Sequence, residues 1–198
     1  METFEYFPTQ IRRDERPDFL DSITSIGVQA VNEVRNVDST MSQSDCLLGN
    51  DRLEGFKNYL LLASTEMLRQ QGYDLEKYDL YVSGLWAQEI KKPACTAPHV
   101  HKNSQISGWF FTNVPENGAN VVYHDPRASK SIIELDYTQG VEITNATESV
   151  FFNDLNAGTI LFNNSWVNHQ LISGTSEDPT CCFHFIISHR EHLLCNIS

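Results

Sequence analysis

The sequence predicts a mainly β domain with N-terminal helices, a β-sandwich or closed barrel with two helices packed on one sheet. Three observations carry this. Apolar residues recur at helical spacing only before Tyr78. After Tyr78 the chain breaks into short apolar or alternating runs. Those runs are separated by turn-forming clusters and show no internal repeat. Many short strands at such spacing fold as sandwiches or barrels.

Phe19, Ile23, Ile26, Ala30 and Val34 mark one face of a helix from about Pro17 to Val34, with Pro17 suited to its first turn. A polar stretch, 36–50, follows. Leu53, Phe56, Leu60, Ala63 and Met67 mark a second helix from about Arg52 to Gln71, which Gly72 is placed to end. Strands are expected at Leu80–Ile90, Ile106–Val114, Asn120–His124, Ser131–Leu135, Val150–Phe152, Thr159–Asn163, Val167–Ile172 and Thr180–Ser188. The turn clusters 115–118, 125–126, 156–158 and 173–179 separate them. One domain over residues 1–198 is expected, helical to residue 78 and β from residue 79. Trp86, Trp109, Phe110, Phe111, Phe152, Phe162 and Trp166 are assigned to its core.

Composition excludes several classes. With 40% apolar and 20% charged residues the chain is globular, not disordered. A net charge of -12 argues against a nucleic-acid partner, since phosphate backbones are bound by Lys and Arg. No apolar run reaches the roughly 18 residues of a membrane span, and METFEYFPTQIRRDERPDF lacks the apolar core of a signal peptide. A cytoplasmic location is expected, the host's if the chain is viral. The five cysteines fit that, with an odd count and no zinc-like spacing. A homodimer is compatible with all of this.

Four of seven histidines fall between His99 and His169. In an extended segment His99 and His101 project to one side, close enough to share an ion. His169, in GTILFNNSWVNH (158–169), is the best third ligand from a distant segment. Imidazoles suit iron, zinc, copper or nickel alike.

HVHKNS (99–104), SGWFFTNVP (107–115), VVYHDPR (121–127) and GTILFNNSWVNH (158–169), in that order, resemble the 2-oxoglutarate/Fe(II) oxygenases of bacteria and bacteriophages. The resemblance is densest from Trp86 to Ser188. It implies a double-stranded β-helix (jelly roll, cupin-like) with iron in the mouth of the barrel and 2-oxoglutarate chelating it. It also implies dioxygen as co-substrate and hydroxylation of a small-molecule or protein substrate that no motif names. His99 and His169 take the two histidine ligand roles. The residue two after the first histidine is usually a carboxylate in the wider superfamily. His101 stands there, and Asp125 offers a carboxylate instead.

The family's arginine for the distal carboxylate of 2-oxoglutarate is missing as well: PTCCFHFII (179–187) puts Thr180 in its place. Alternation aims Thr180, Cys182 and His184 at one face and Phe183 and Phe185 at the other. Arg127 is therefore the first expected partner of that carboxylate. His184 as imidazolium, Lys102, Thr180 and the Tyr123 hydroxyl are further candidates. Asn103 and Ser107 are placed at the mouth, and Trp109, Phe111 and Phe162 are expected as its apolar walls. Two alternatives remain open on the residues: a cupin-like metal enzyme without 2-oxoglutarate, and a non-catalytic jelly-roll module.

Overall fold

In the computed structural model the described residues are 1–2, 7–36, 38–127 and 147–191. The expected strand Ser131–Leu135, together with His192 and Cys195, lies outside them.

Strands β1 (Ile11–Glu15), β2 (Met41–Gln43), β3 (Tyr78–Ile90), β4 (Ile106–Asn113), β5 (Asn120–His124), β6 (Ser149–Phe152), β7 (Thr159–Asn164), β8 (His169–Ile172) and β9 (Thr180–Glu191) alternate with helices α1 (Leu20–Val34) and α2 (Glu54–Gln70). A large sheet runs β1-β7-β4-β9-β3-β2 and a small one β6-β5-β8, with every pairing antiparallel. This is the double-stranded β-helix that the resemblance implies.

Both helices lie on the outer face of the large sheet, as their apolar stripes require. Ile23, Ile26, Phe56, Leu60 and Met67 meet Phe110, Phe162, Phe183 and Phe185 there, all 4% exposed or less. Burying each such side chain contributes about 1.5–3 kcal/mol. Gly72 ends α2 at a φ of 91°, a conformation that costs glycine little. Gly108, in β4, is needed for close approach. A Cβ there would stand 1.9 Å from the Leu161 carbonyl oxygen and 2.6 Å from the Phe185 ring.

The inner face of the large sheet carries the alternate residues. Trp109, Phe111, Leu161 and Cys182 pack against Val121, Tyr123 and Leu171 of the small sheet. Phe162 falls on the helix side with Ile160, so it is not a wall of the mouth as expected. Trp166 is 50% exposed, in the turn before β8, and is not core.

Two strands are absent from the sequence reading. β1, sequence IRRDE, is an edge strand paired with β7. β2 is three residues long and paired with β3. Both belong to the part expected to be helical, so the N-terminal segment supplies both edges of the large sheet. No helix among the described residues is long and apolar enough to cross a membrane.

Candidate metal centre

The segment after Pro98 is extended but forms no strand of its own. His99 exchanges two backbone hydrogen bonds with His169, each 3.0 Å, and the His101 N–H donates to the Ser165 carbonyl at 2.9 Å. This pairing sets two histidines of one side opposite the first residue of β8. The ligand nitrogens of His99, His101 and His169 all lie within 4.8 Å of one another. Chain segments nearly seventy residues apart thus meet at one point.

Each ring is oriented from behind. His99 Nδ1 lies 2.8 Å from the Ala97 carbonyl and His169 Nδ1 2.8 Å from that of Val167. A carbonyl only accepts, so each Nδ1 carries the proton and each Nε2 presents its lone pair. The Nε2 atoms of His101 and His169 are 3.1 Å apart. Burial pushes both rings down to about 4, His101 further through the adjacent His99 ring, His169 against a backbone hydrogen bond that raises it. Both are neutral at pH 7, the form a metal needs.

Behind His169 stands a buried polar chain. The Tyr123 hydroxyl donates to Asn163 Oδ1 at 3.3 Å, and Asn163 Nδ2 donates to Ser107 Oγ at 3.0 Å. Tyr123 and Ser107 are therefore occupied within the protein. Asn163 escaped the sequence reading, although it belongs to the matched block 158–169.

A cavity of about 300 Å³ opens beside the triad. Its wall includes Met41, Trp86, Gln88, Thr96, Trp109 and His184. Trp86 and Gln88 alternate on the inner face of β3, a signal present in the sequence. Met41 arrives on β2, which had none. Gln88 is committed: its Nε2 donates to Gln43 at 2.7 Å, and its Oε1 lies 3.7 Å from Cys182 Sγ.

Several expected cofactor residues are elsewhere. Arg127 lies outside the cavity wall, half-exposed, with its Nη2 2.6 Å from Asp125 Oδ2. The turn-forming Asp125 takes the neighbouring guanidinium, which answers both expectations locally; it is not one of the clustered metal donors. Thr180 is buried with Oγ1 accepting from the Ala119 N–H at 2.9 Å, so it braces a turn. Lys102 and Asn103 sit exposed in the turn after His101. His184 does border the cavity, but burial holds it well below the usual histidine range, so it is not the imidazolium expected.

The donor set fits a divalent transition metal. Two ligands at right angles, each about 2.1 Å from one ion, stand about 3 Å apart, which is the observed Nε2 separation. Three imidazoles would fill only part of such an ion's coordination sphere, and the cavity lies beside them.

Comparison with known proteins agrees. The family model described as "Putative 2OG-Fe(II) oxygenase" matches residues 84–185, more than half of the chain. No curated protein matches the sequence. Among solved structures, SnoN, a non-heme α-ketoglutarate-dependent epimerase of nogalamycin biosynthesis, is similar. Its TM-score is 0.65 at 12% identity, covering 93% of this chain and 79% of that one. A prolyl-4-hydroxylase of Pseudomonas putida gives 0.57 at 11%, covering 90% and 92%. HygX of Streptomyces hygroscopicus, with nickel and 2-oxoglutarate bound, gives 0.55 at 10%, covering 91% and 83%. The chain belongs to the 2OG-Fe(II) oxygenase family and is an Fe(II)- and 2-oxoglutarate-dependent oxygenase.

Proposed function

We propose that His99, His101 and His169 hold the iron through Nε2, and that the neighbouring cavity receives 2-oxoglutarate for hydroxylation of a substrate C–H bond. The observation that carries this reading is the 3.1 Å spacing of two Nε2 atoms beside a third within 4.8 Å. Iron and 2-oxoglutarate, when bound, supply the oxidising chemistry, in which dioxygen oxidises the substrate while 2-oxoglutarate becomes succinate and CO2.

The chain's own residues do the rest. The Ala97 and Val167 carbonyls fix the tautomers of His99 and His169, so their Nε2 lone pairs converge. Trp109, packed 5.1 Å from the His169 ring at 90°, closes one side of the centre and keeps bulk water from it. The bond between His101 and Ser165 ties the mouth to the turn before β8. The cavity, about 300 Å³, is at the lower end of small-molecule pockets. That suits 2-oxoglutarate inside and a substrate that presents only one group at the mouth.

The test is succinate formation. Protein reconstituted with Fe(II) and given 2-oxoglutarate in air should release succinate slowly even without substrate. His99→Ala and His169→Ala should each abolish it, together with stoichiometric iron. Either variant keeping one iron per chain would overturn the ligand assignment. Iron binding with no succinate and no 2-oxoglutarate affinity would favour a cupin-like metal site.

A further inference from the structure

The cavity has a buried inner end and an open outer one. Trp109, Gln88, Leu171 and His184 are each 7% exposed or less, whereas Met41, Trp86 and Ile186 are half-buried and Gln43 is exposed. The outer end therefore lies at β2, β3 and β9. Trp86 on β3, His184 on β9 and Trp109 on β4 are cross-strand neighbours. Their rings form a row: the imidazole centroid lies 5.7 Å from that of Trp86 and 5.4 Å from that of Trp109, at interplanar angles of 21° and 33°. Among the described residues no other ring meets Trp86. The β2–β3 pairing ends at Gln43 and Gln88, one inner-face position short of Trp86. The row thus ends at Trp86, half-buried on the cavity wall. Its indole rests directly on the backbone of β3, since a Cβ on Gly84 would stand 2.2 Å from its Cη2.

A directed polar chain ends at the same rim. Cys182 Sγ donates to Gln88 Oε1 at 3.7 Å, and Gln88 Nε2 donates to Gln43 Oε1 at 2.7 Å. With its oxygen taken, the Gln43 carboxamide has its N–H donors left, and they have no partner among the described residues. What the chain delivers to the rim is therefore a donor. Among the described residues the cavity wall carries no Lys, Arg, Asp or Glu. A charged group entering there would lose water with no opposite charge in the wall to replace it. A flat indole at the end of a row of rings pairs best with another flat ring, and a carboxamide N–H pairs with a neutral oxygen.

We propose that the outer end of the cavity receives the substrate as an uncharged flat ring, which extends the row on Trp86 and accepts a hydrogen bond from Gln43 Nε2 through a ring carbonyl. Trp86 and Gln43 are then the residues that select the substrate, and the buried end is left to the co-substrate. The proposal rests on the metal-centre reading above, since His99 and His101 border the same cavity.

The test uses three probes. 4-Methyl-2-pyridone is flat and neutral with a ring carbonyl, 4-methyl-2-piperidone is its saturated, puckered counterpart with the same carbonyl, and 2-pyridone-4-carboxylate is flat but charged. Ligand-observed NMR titrations read their affinities on Zn(II)-loaded protein with 2-oxoglutarate, which is diamagnetic and does not turn over. The pyridone should bind about 3- to 10-fold more tightly than the piperidone, the range for an aromatic pair. The charged ring should bind at least about tenfold more weakly than the pyridone. Trp86→Leu should remove the preference for the flat ring and Trp86→Phe should retain it, a selectivity that a merely structural role would not move. Gln43→Glu, which still accepts from Gln88 but offers no N–H, should weaken pyridone and piperidone alike, by about tenfold. No pyridone binding, equal affinity for flat and saturated rings, a preference that survives Trp86→Leu, or an unchanged affinity in Gln43→Glu would overturn the proposal. A parent protein that takes up no metal would instead overturn the triad reading, and the same titrations on metal-free protein still read the ring preference, so the two failures are told apart.

Discussion

Replacing His101 with glutamate tests how the charge of the metal centre acts on the co-substrate. Glutamate reaches about as far as Nε2 and is itself a good iron ligand, so one iron per chain should remain. What changes is the net charge, by one negative unit beside the bound co-substrate. Four carbon–carbon bonds put the distal carboxylate of 2-oxoglutarate about 5 Å from its chelating end, which sets the length scale between the two charges. At an effective dielectric of 20, two like unit charges at this distance repel by about 3 kcal/mol. Counting that pair alone, 2-oxoglutarate affinity should fall roughly 100-fold. Anaerobic titration of the Fe(II) protein with 2-oxoglutarate, followed by calorimetry, measures it. An unchanged dissociation constant with iron still bound would refute the reasoning that charge in the ligand set acts on the bound co-substrate.

Other consequences are separate. Arg127→Ala should leave 2-oxoglutarate affinity within about twofold, because that side chain lies with Asp125 outside the cavity wall; a tenfold loss would return it to the site. Gly108→Ala should lower the melting temperature by several degrees or prevent folding, since its methyl would enter the Leu161 carbonyl; an unchanged melting temperature would contradict the packing described. The metal-free protein should also become less stable in acid. His101 and His169 are pushed down to about 4, whereas unfolded histidine titrates near about 6.5. Between those values the unfolded chain binds more protons, so stability is full above about pH 6.5 and is lost as pH falls toward about 4. Thermal melts across that window should show a shallower slope in the double variant His101→Asn/His169→Asn; equal slopes would count against the burial.

What the sequence disclosed follows from how locally each feature is encoded. α1 and α2 were legible because their buried residues repeat at 3.6, and β4, β5, β7 and β9 because apolar runs end at turn clusters. β1 was hidden, since IRRDE carries the charges that keep an edge strand soluble and shows little apolar content. β2 was too short to have a period. His99 and His101 announce themselves by spacing, but His169 came from the ordered blocks, because only the tertiary fold brings β8 opposite residue 99. Arg127 misled for a physical reason: an Asp-Pro-Arg turn can satisfy its own guanidinium, and nothing in the sequence says whether it does. Phe162 misled by parity, since a single-residue shift in β7 exchanges the helix side for the cavity side. His184 was placed on the correct face by alternation. Its charge state was not legible, because the two indoles that bury it come from other strands.

The most direct test is a crystal structure of the protein prepared under nitrogen with Fe(II) and 2-oxoglutarate. Anomalous scattering at the iron edge should place one ion bound by Nε2 of His99, His101 and His169, with the 2-oxo acid chelating it. An iron peak away from those three nitrogens, or rings that turn apart when the ion is present, would contradict the account.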